Sequence, residues 1–114
     1  MRNDLVGSKE VSFSSQLSFG QMLTRLNQLP GGPWGEGDSH YYGDYLACAY
    51  KRKDVSGWVR IYFLRGKNFC KFKLWTSAAP PSTHGEWDAL EHFVMSELLA
   101  SVEATGIVES DEID

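Results

Sequence analysis

The side chains best suited to proton transfer, nucleophilic attack or metal ligation are three histidines, His40, His84 and His92, and two cysteines, Cys48 and Cys70. A hydrolytic centre needs a base oriented by a carboxylate beside a nucleophile. Ser39, His40 and Asp44, with Asp38, stand close in the chain, but closeness inside a glycine-rich stretch supplies no geometry. His84 falls at a helix start and His92 on a helix flank. The sequence holds no HExxH, no G-x-S-x-G, no phosphate-binding P-loop and no CxxC pair. Gly35, Gly37 and Gly43 do not form a G-x-G-x-x-G that opens a helix. Two cysteines are too few for a metal site. Each lies in an apolar, strand-like run (YLACAY and FCKFKLW), where reduced, buried thiols are expected, a disulfide between neighbouring strands being the alternative. The expectation is a protein without enzymatic activity, cofactor or metal. A small ligand-binding or enzymatic site in the 34–45 loop, using Asp38, His40 and Asp44, stands as an alternative.

Charge offers a different chemistry. Residues 51–73 carry Lys51, Arg52, Lys53, Arg60, Arg65, Lys67, Lys71 and Lys73 against Asp54 alone, whereas residues 86–114 carry nine carboxylates and no Lys or Arg. Glu91, Glu97 and Glu103 are spaced by six, which spreads them around a helix, and none has a Lys or Arg four residues on. Glu97 and Glu103 also approach the negative end of the helix dipole. Helix stability gains nothing from this pattern; a surface meeting a basic partner gains association rate and fit. Glu91, Glu97, Glu103, Asp111 and Glu112 are therefore the expected partner contacts, with Trp34, Asp38, Tyr41, Tyr42 and Asp44 beside them, because Trp and Tyr anchor many interfaces. Solubility, or packing of the acidic helix beside the basic strands, is the competing explanation. The basic segment allows a second reading. Strand alternation puts Arg60, Tyr62, Lys71, Lys73 and Trp75 on one face, a mixture that suits phosphates and stacked bases of single-stranded nucleic acid. The net charge of −4 argues against it.

These residues must be placed by a small fold. A chain of 114 residues with 42 % apolar and 13 % aromatic residues can bury a core and is expected to form one domain over residues 1–114. No apolar run approaches the ~20 residues that cross a bilayer, and MRNDLVGSKE lacks the apolar stretch of a secretory signal, so a cytoplasmic protein is expected. Membrane channels, collagen-like repeats and large multi-domain enzymes are excluded. Ser18 and Gln21 form a capping box with Leu17 and Met22 as its hydrophobic staple, opening a helix that stops at Pro30-Gly31-Gly32-Pro33. Residues 30–40 read as a loop, and 41–51, 57–65 and 68–76 as strands joined by short links, hence an antiparallel meander. A short edge strand over 11–17 is a candidate fourth. After the prolines of 77–83, Thr83 and Glu86 form a second capping box for a helix over 84–104, with Trp87, Leu90, Val94, Leu98 and Val102 on one face and Gly106 as its stop. Residues 1–10 and 107–114 are expected to be mobile. The fold class is α+β: a three- to four-stranded antiparallel meander flanked by an N-terminal helix and a long C-terminal helix.

The stretch WGEGDSHYYGDYL, Trp34 to Leu46, together with the chain's size and acidity, resembles small bacterial toxin-immunity proteins of the contact-dependent inhibition and secretion-effector type. The resemblance implies a stoichiometric inhibitor that covers a cognate toxin's active site. For a nuclease toxin, carboxylates would stand in for the phosphates that such a site holds. It carries no residue over one to one and leaves the oligomeric state open.

Overall fold

The computed structural model describes residues 4–31, 33–39, 43–52, 54–64, 67–77 and 84–110. Six strands form one sheet: β1 (Asp4–Ser14), β2 (Gly35–Ser39), β3 (Gly43–Arg52), β4 (Val55–Leu64), β5 (Lys67–Thr76) and β6 (Thr105–Ser110), in the order β2-β3-β4-β5-β1-β6. Every neighbouring pair is antiparallel. Helix α1 (Phe19–Leu26) links β1 to β2. A second helical segment links β5 to β6; it is α-helical over His84–His92 (α2), π-helical over Phe93–Leu98 and α-helical again over Leu99–Ser101 (α3).

The α+β class and the meander of residues 43–76 agree with the sequence reading. Several expectations are corrected. The sheet has six strands, and the helices are inserted between strands rather than flanking them. Residues 4–10 belong to β1, and β1 is an inner strand between β5 and β6, not an edge. Residues 35–39 form strand β2 rather than loop, and residues 105–110 form strand β6. Tertiary pairing overrides local signals in each case: GEGDS has little strand propensity of its own, yet β3 offers it a full ladder, Gly35 opposite Ala47 through Ser39 opposite Gly43.

One face of the sheet is core. Val11 and Phe13 of β1, Leu46 of β3, Val59 and Ile61 of β4, and Cys70, Phe72 and Leu74 of β5 are all buried there. Helix α1 adds Met22 and Leu26; the second helical segment adds Leu90, Val94, Leu98 and Leu99, and Val102 follows it. Phe19 tilts against Phe63 at 4.9 Å between ring centroids, and Trp87 stacks on Phe72 at 5.3 Å. Trp87 also lies over Gly7, beside a break in the β1–β5 register; a Cβ at Gly7 would sit inside the indole.

The capping box forms as read: Gln21 N–H donates to Ser18 Oγ at 3.2 Å, and Ser18 N–H donates to Gln21 Oε1 at 2.8 Å. Thr83 of the second box lies outside the described residues. The π-helical stretch has a cause in the sequence. Leu90, Val94, Leu98 and Val102 are spaced by four, and in an α-helix each such step drifts by roughly 40° from a straight line. The wider i→i+5 turns of a π-helix take back that rotation and hold the stripe on the sheet.

The chain leaves the helix earlier than Gly106. Glu103 takes a left-handed φ of 56°. Its N–H donates to Ala100 C=O at 3.1 Å and Ala104 N–H to Leu99 C=O at 2.9 Å, the paired bonds of a Schellman turn, with glutamate where glycine is usual.

Candidate partner-binding surface

The carboxylates expected to meet a partner are scattered by the fold. Glu91 of α2 receives the Lys9 ammonium, which also donates to Glu109 at 2.8 Å. Glu103 pairs with Arg25 at 3.1 Å. Three acidic groups of the C-terminal third are thus paired internally with two cations, Lys9 of β1 and Arg25 of α1, rather than with those of the central strands. Both Lys9 hydrogen bonds raise its pKa above the ordinary 10.5, that to Glu109 more than that to Glu91, while desolvation opposes them. Glu97 remains exposed on the helix. Asp111 and Glu112 lie outside the described residues, as do His40, Tyr41 and Tyr42.

Within the 34–45 segment, Gly35–Ser39 pairs antiparallel with the start of β3 and is strand rather than loop. Trp34 is only 6 % exposed and belongs to the core, so it is not a surface anchor; its backbone N–H donates to Asn27 Oδ1 at 2.8 Å. Asp38 and Asp44 are exposed and stand directly opposite each other across β2 and β3, two like charges in one cross-strand pair. Neither lines the cavity beside α2 or the one around Ser14, Ser15 and Gln16. Among the described residues no group of three or more His, Cys, Asp and Glu is placed to hold a metal ion.

The other face of the sheet carries a different arrangement. Both helices lie on the core side. Cross-strand partners share a face, so the register writes this surface out row by row. Tyr45, Tyr62 and Phe69 form one row across β3, β4 and β5, followed by Ser12 of β1. Ala47, Arg60, Lys71 and Glu10 form the next, then Ala49, Trp58, Lys73 and Ser8. Ser56, Trp75 and Leu5 stand in a fourth row.

The aromatic row is continuous: Tyr45 and Tyr62 centroids are 5.2 Å apart, and Tyr62 and Phe69 are stacked at 5.2 Å. The Tyr45 ring extends the row over β2, lying where a Cβ on Gly37 would be. The cations lie on these rings. The Arg60 guanidinium is 4.2 Å from the Trp58 centroid and 5.3 Å from that of Tyr45, and Nη1 donates to the Tyr62 hydroxyl at 3.4 Å. Lys73 lies 5.8 Å from Trp58, and Lys71 lies 5.8 Å from Phe69 and 3.6 Å from Glu10. Trp58 and Trp75 meet at 6.3 Å. The result is a layer of Trp, Tyr and Arg held in place by cation–π contacts, each worth about 0.5–1 kcal/mol at such sites.

Strand alternation identified Arg60, Tyr62, Lys71, Lys73 and Trp75 as one face, and the register brings them together. The sequence reading does not place Tyr45 or Gly37 on this face: Tyr45 lies in a segment read as a strand, but alternation alone does not show which strand pairs with which, and residues 35–39 read as loop.

Both cysteines are free thiols. Burial pushes both thiols above their ordinary range, Cys70, which is wholly buried, much further than Cys48. Among the described residues no helix is long and apolar enough to cross a membrane. The sequence matches no protein-family model and no curated protein.

Proposed function

We propose that this chain is a non-enzymatic binding protein of the toxin-neutralising, immunity kind, and that its docking surface is the helix-free face of the sheet rather than the acidic helix. The observation that carries the reading is the composition of that face. Trp58, Trp75, Tyr45 and Arg60 are the residue types that dominate binding hot spots, and here they are pre-ordered by stacking, which lowers the entropy cost of association. Arg60 and Lys73 make the surface complementary to an acidic partner. The acidic alternative is weakened by the internal pairing of Glu91, Glu103 and Glu109. Unpaired thiols accord with action in the cytoplasm.

Single-stranded nucleic acid is the less favoured occupant, for a geometric reason. Bases stack on open ring faces. Tyr62 and Phe69 are only 5 % and 7 % exposed and already lie beneath cations and neighbouring rings.

The test is quantitative affinity capture from the native host with three baits: wild type, Arg60→Glu with Lys73→Glu, and Glu97→Lys. A specific protein partner retained by the Glu97 variant and lost by at least ~30-fold with the Arg60/Lys73 variant supports the reading. Equal retention by both variants contradicts the surface. Salt-sensitive binding of a single-stranded oligonucleotide, abolished in the Arg60/Lys73 variant, would replace the protein partner with nucleic acid.

A further inference from the structure

On the opposite side of the sheet, independent of the docking face, a cleft of about 300 Å³ opens between β3 and the first turns of α2. Gly31, Gly85 and Ala89 line it, and a Cβ added at Gly31 or Gly85 would meet nothing within 4 Å. Its apolar lining includes Trp34, Val59, Leu90 and Phe93. Its polar lining is concentrated in Glu86, whose carboxylate accepts the Tyr50 hydroxyl, and in Cys48, whose thiol donates to Gly31 C=O at 3.3 Å. A volume of this order, apolar walls and a few polar groups are the usual make-up of a small-molecule site. The helix that forms one wall turns π-helical at Phe93, itself a lining residue.

We propose that this cleft binds a small organic amine with an apolar, ring-bearing body. The ring fills the space beside Trp34 and Phe93. The ammonium meets Glu86, which as a carboxylate has acceptor capacity beyond the bond from Tyr50. An anionic ligand of the same shape is repelled by the same group, and a neutral one leaves the carboxylate without a new donor.

Cys48 supplies the readout. It lines the cleft and is partly accessible, whereas Cys70 is wholly buried and silent to thiol reagents in the native state. The full chain is titrated with 2-phenylethylamine while Cys48 labelling by an aromatic disulfide reagent is followed; propylbenzene and 3-phenylpropanoate are the isosteric controls. The expected result is saturable slowing of labelling by the amine alone. In Glu86→Gln its half-saturation should rise about tenfold, the loss of one charge-assisted hydrogen bond. Ala89 is exposed on a helix, so Ala89→Leu is tolerated by the fold, and by occupying the cleft it should abolish the amine's effect. Circular dichroism confirms that both variants are folded. Equal slowing by propylbenzene or 3-phenylpropanoate overturns the amine assignment, and protection that persists in Ala89→Leu, or no protection in wild type, overturns the site.

Discussion

Glu103 and the pair Asp38–Asp44 are the residues whose placement costs the fold something. Glu103 holds a left-handed φ of 56° that glycine adopts without strain, and what it gains is an exposed ion pair with Arg25. Such pairs are worth little in water, so Glu103→Gly should stabilise the protein by about 0.5–1 kcal/mol, read as a higher urea midpoint with an unchanged slope. A lower midpoint would mean that the Arg25 pair outweighs the backbone strain. Asp38 faces Asp44 across β2 and β3, and removing one of two opposed charges should relieve about 0.2–1 kcal/mol. Asp38→Asn is therefore expected to unfold at higher urea; no gain would show that neighbouring charges already screen the pair. These details were only partly legible in the chain. The capping box at Ser18 could be read because it is a local pattern. The left-handed turn could not, because Glu103 gives no local sign of it and Gly106, three residues later, is the better candidate by type.

At the scale of elements, the errors share one origin. β1 and β6 are held by pairing with distant strands, and β2 by β3, whereas the meander from β3 to β5 is encoded by alternation and short links within the segment itself. Gly7 is a seat for Trp87. The helical stripe at four-residue spacing was visible, but its consequence, the π-helical turns, appears only once the sheet demands a straight contact line. Lys9 ties these long-range elements together, joining β1 to α2 through Glu91 and to β6 through Glu109. Its pKa is raised in the folded protein, so its contribution is fully present below the unfolded value near 10.5 and is lost as pH rises through the folded value. Wild type should therefore exceed Lys9→Met in stability across neutral pH by a margin that stays constant up to about pH 10 and then shrinks. Thermal unfolding of both proteins from pH 7 to 11.5 checks this, and a margin independent of pH throughout would show that Lys9 acts through packing of its alkyl chain instead.

The whole molecule is a two-layer scaffold with unlike faces. One layer's helices bury the core and leave a cleft at the start of α2; the opposite sheet face keeps an ordered aromatic and cationic surface. The polarity of charge along the sequence was legible, yet its meaning changed in three dimensions. The acidic segment is partly neutralised by β1 and α1, and the basic strands are turned away from it. The four tryptophans divide between the two faces, Trp58 and Trp75 on the open side, Trp34 and Trp87 on the core side, and so provide built-in reporters of where a partner sits. The most direct measurement is the set of indole N–H resonances during titration with the captured partner. Shifts or broadening confined to Trp58 and Trp75, with Trp34 and Trp87 unmoved, are the predicted result. Unmoved Trp58 and Trp75 in a saturated complex would contradict docking on the open face.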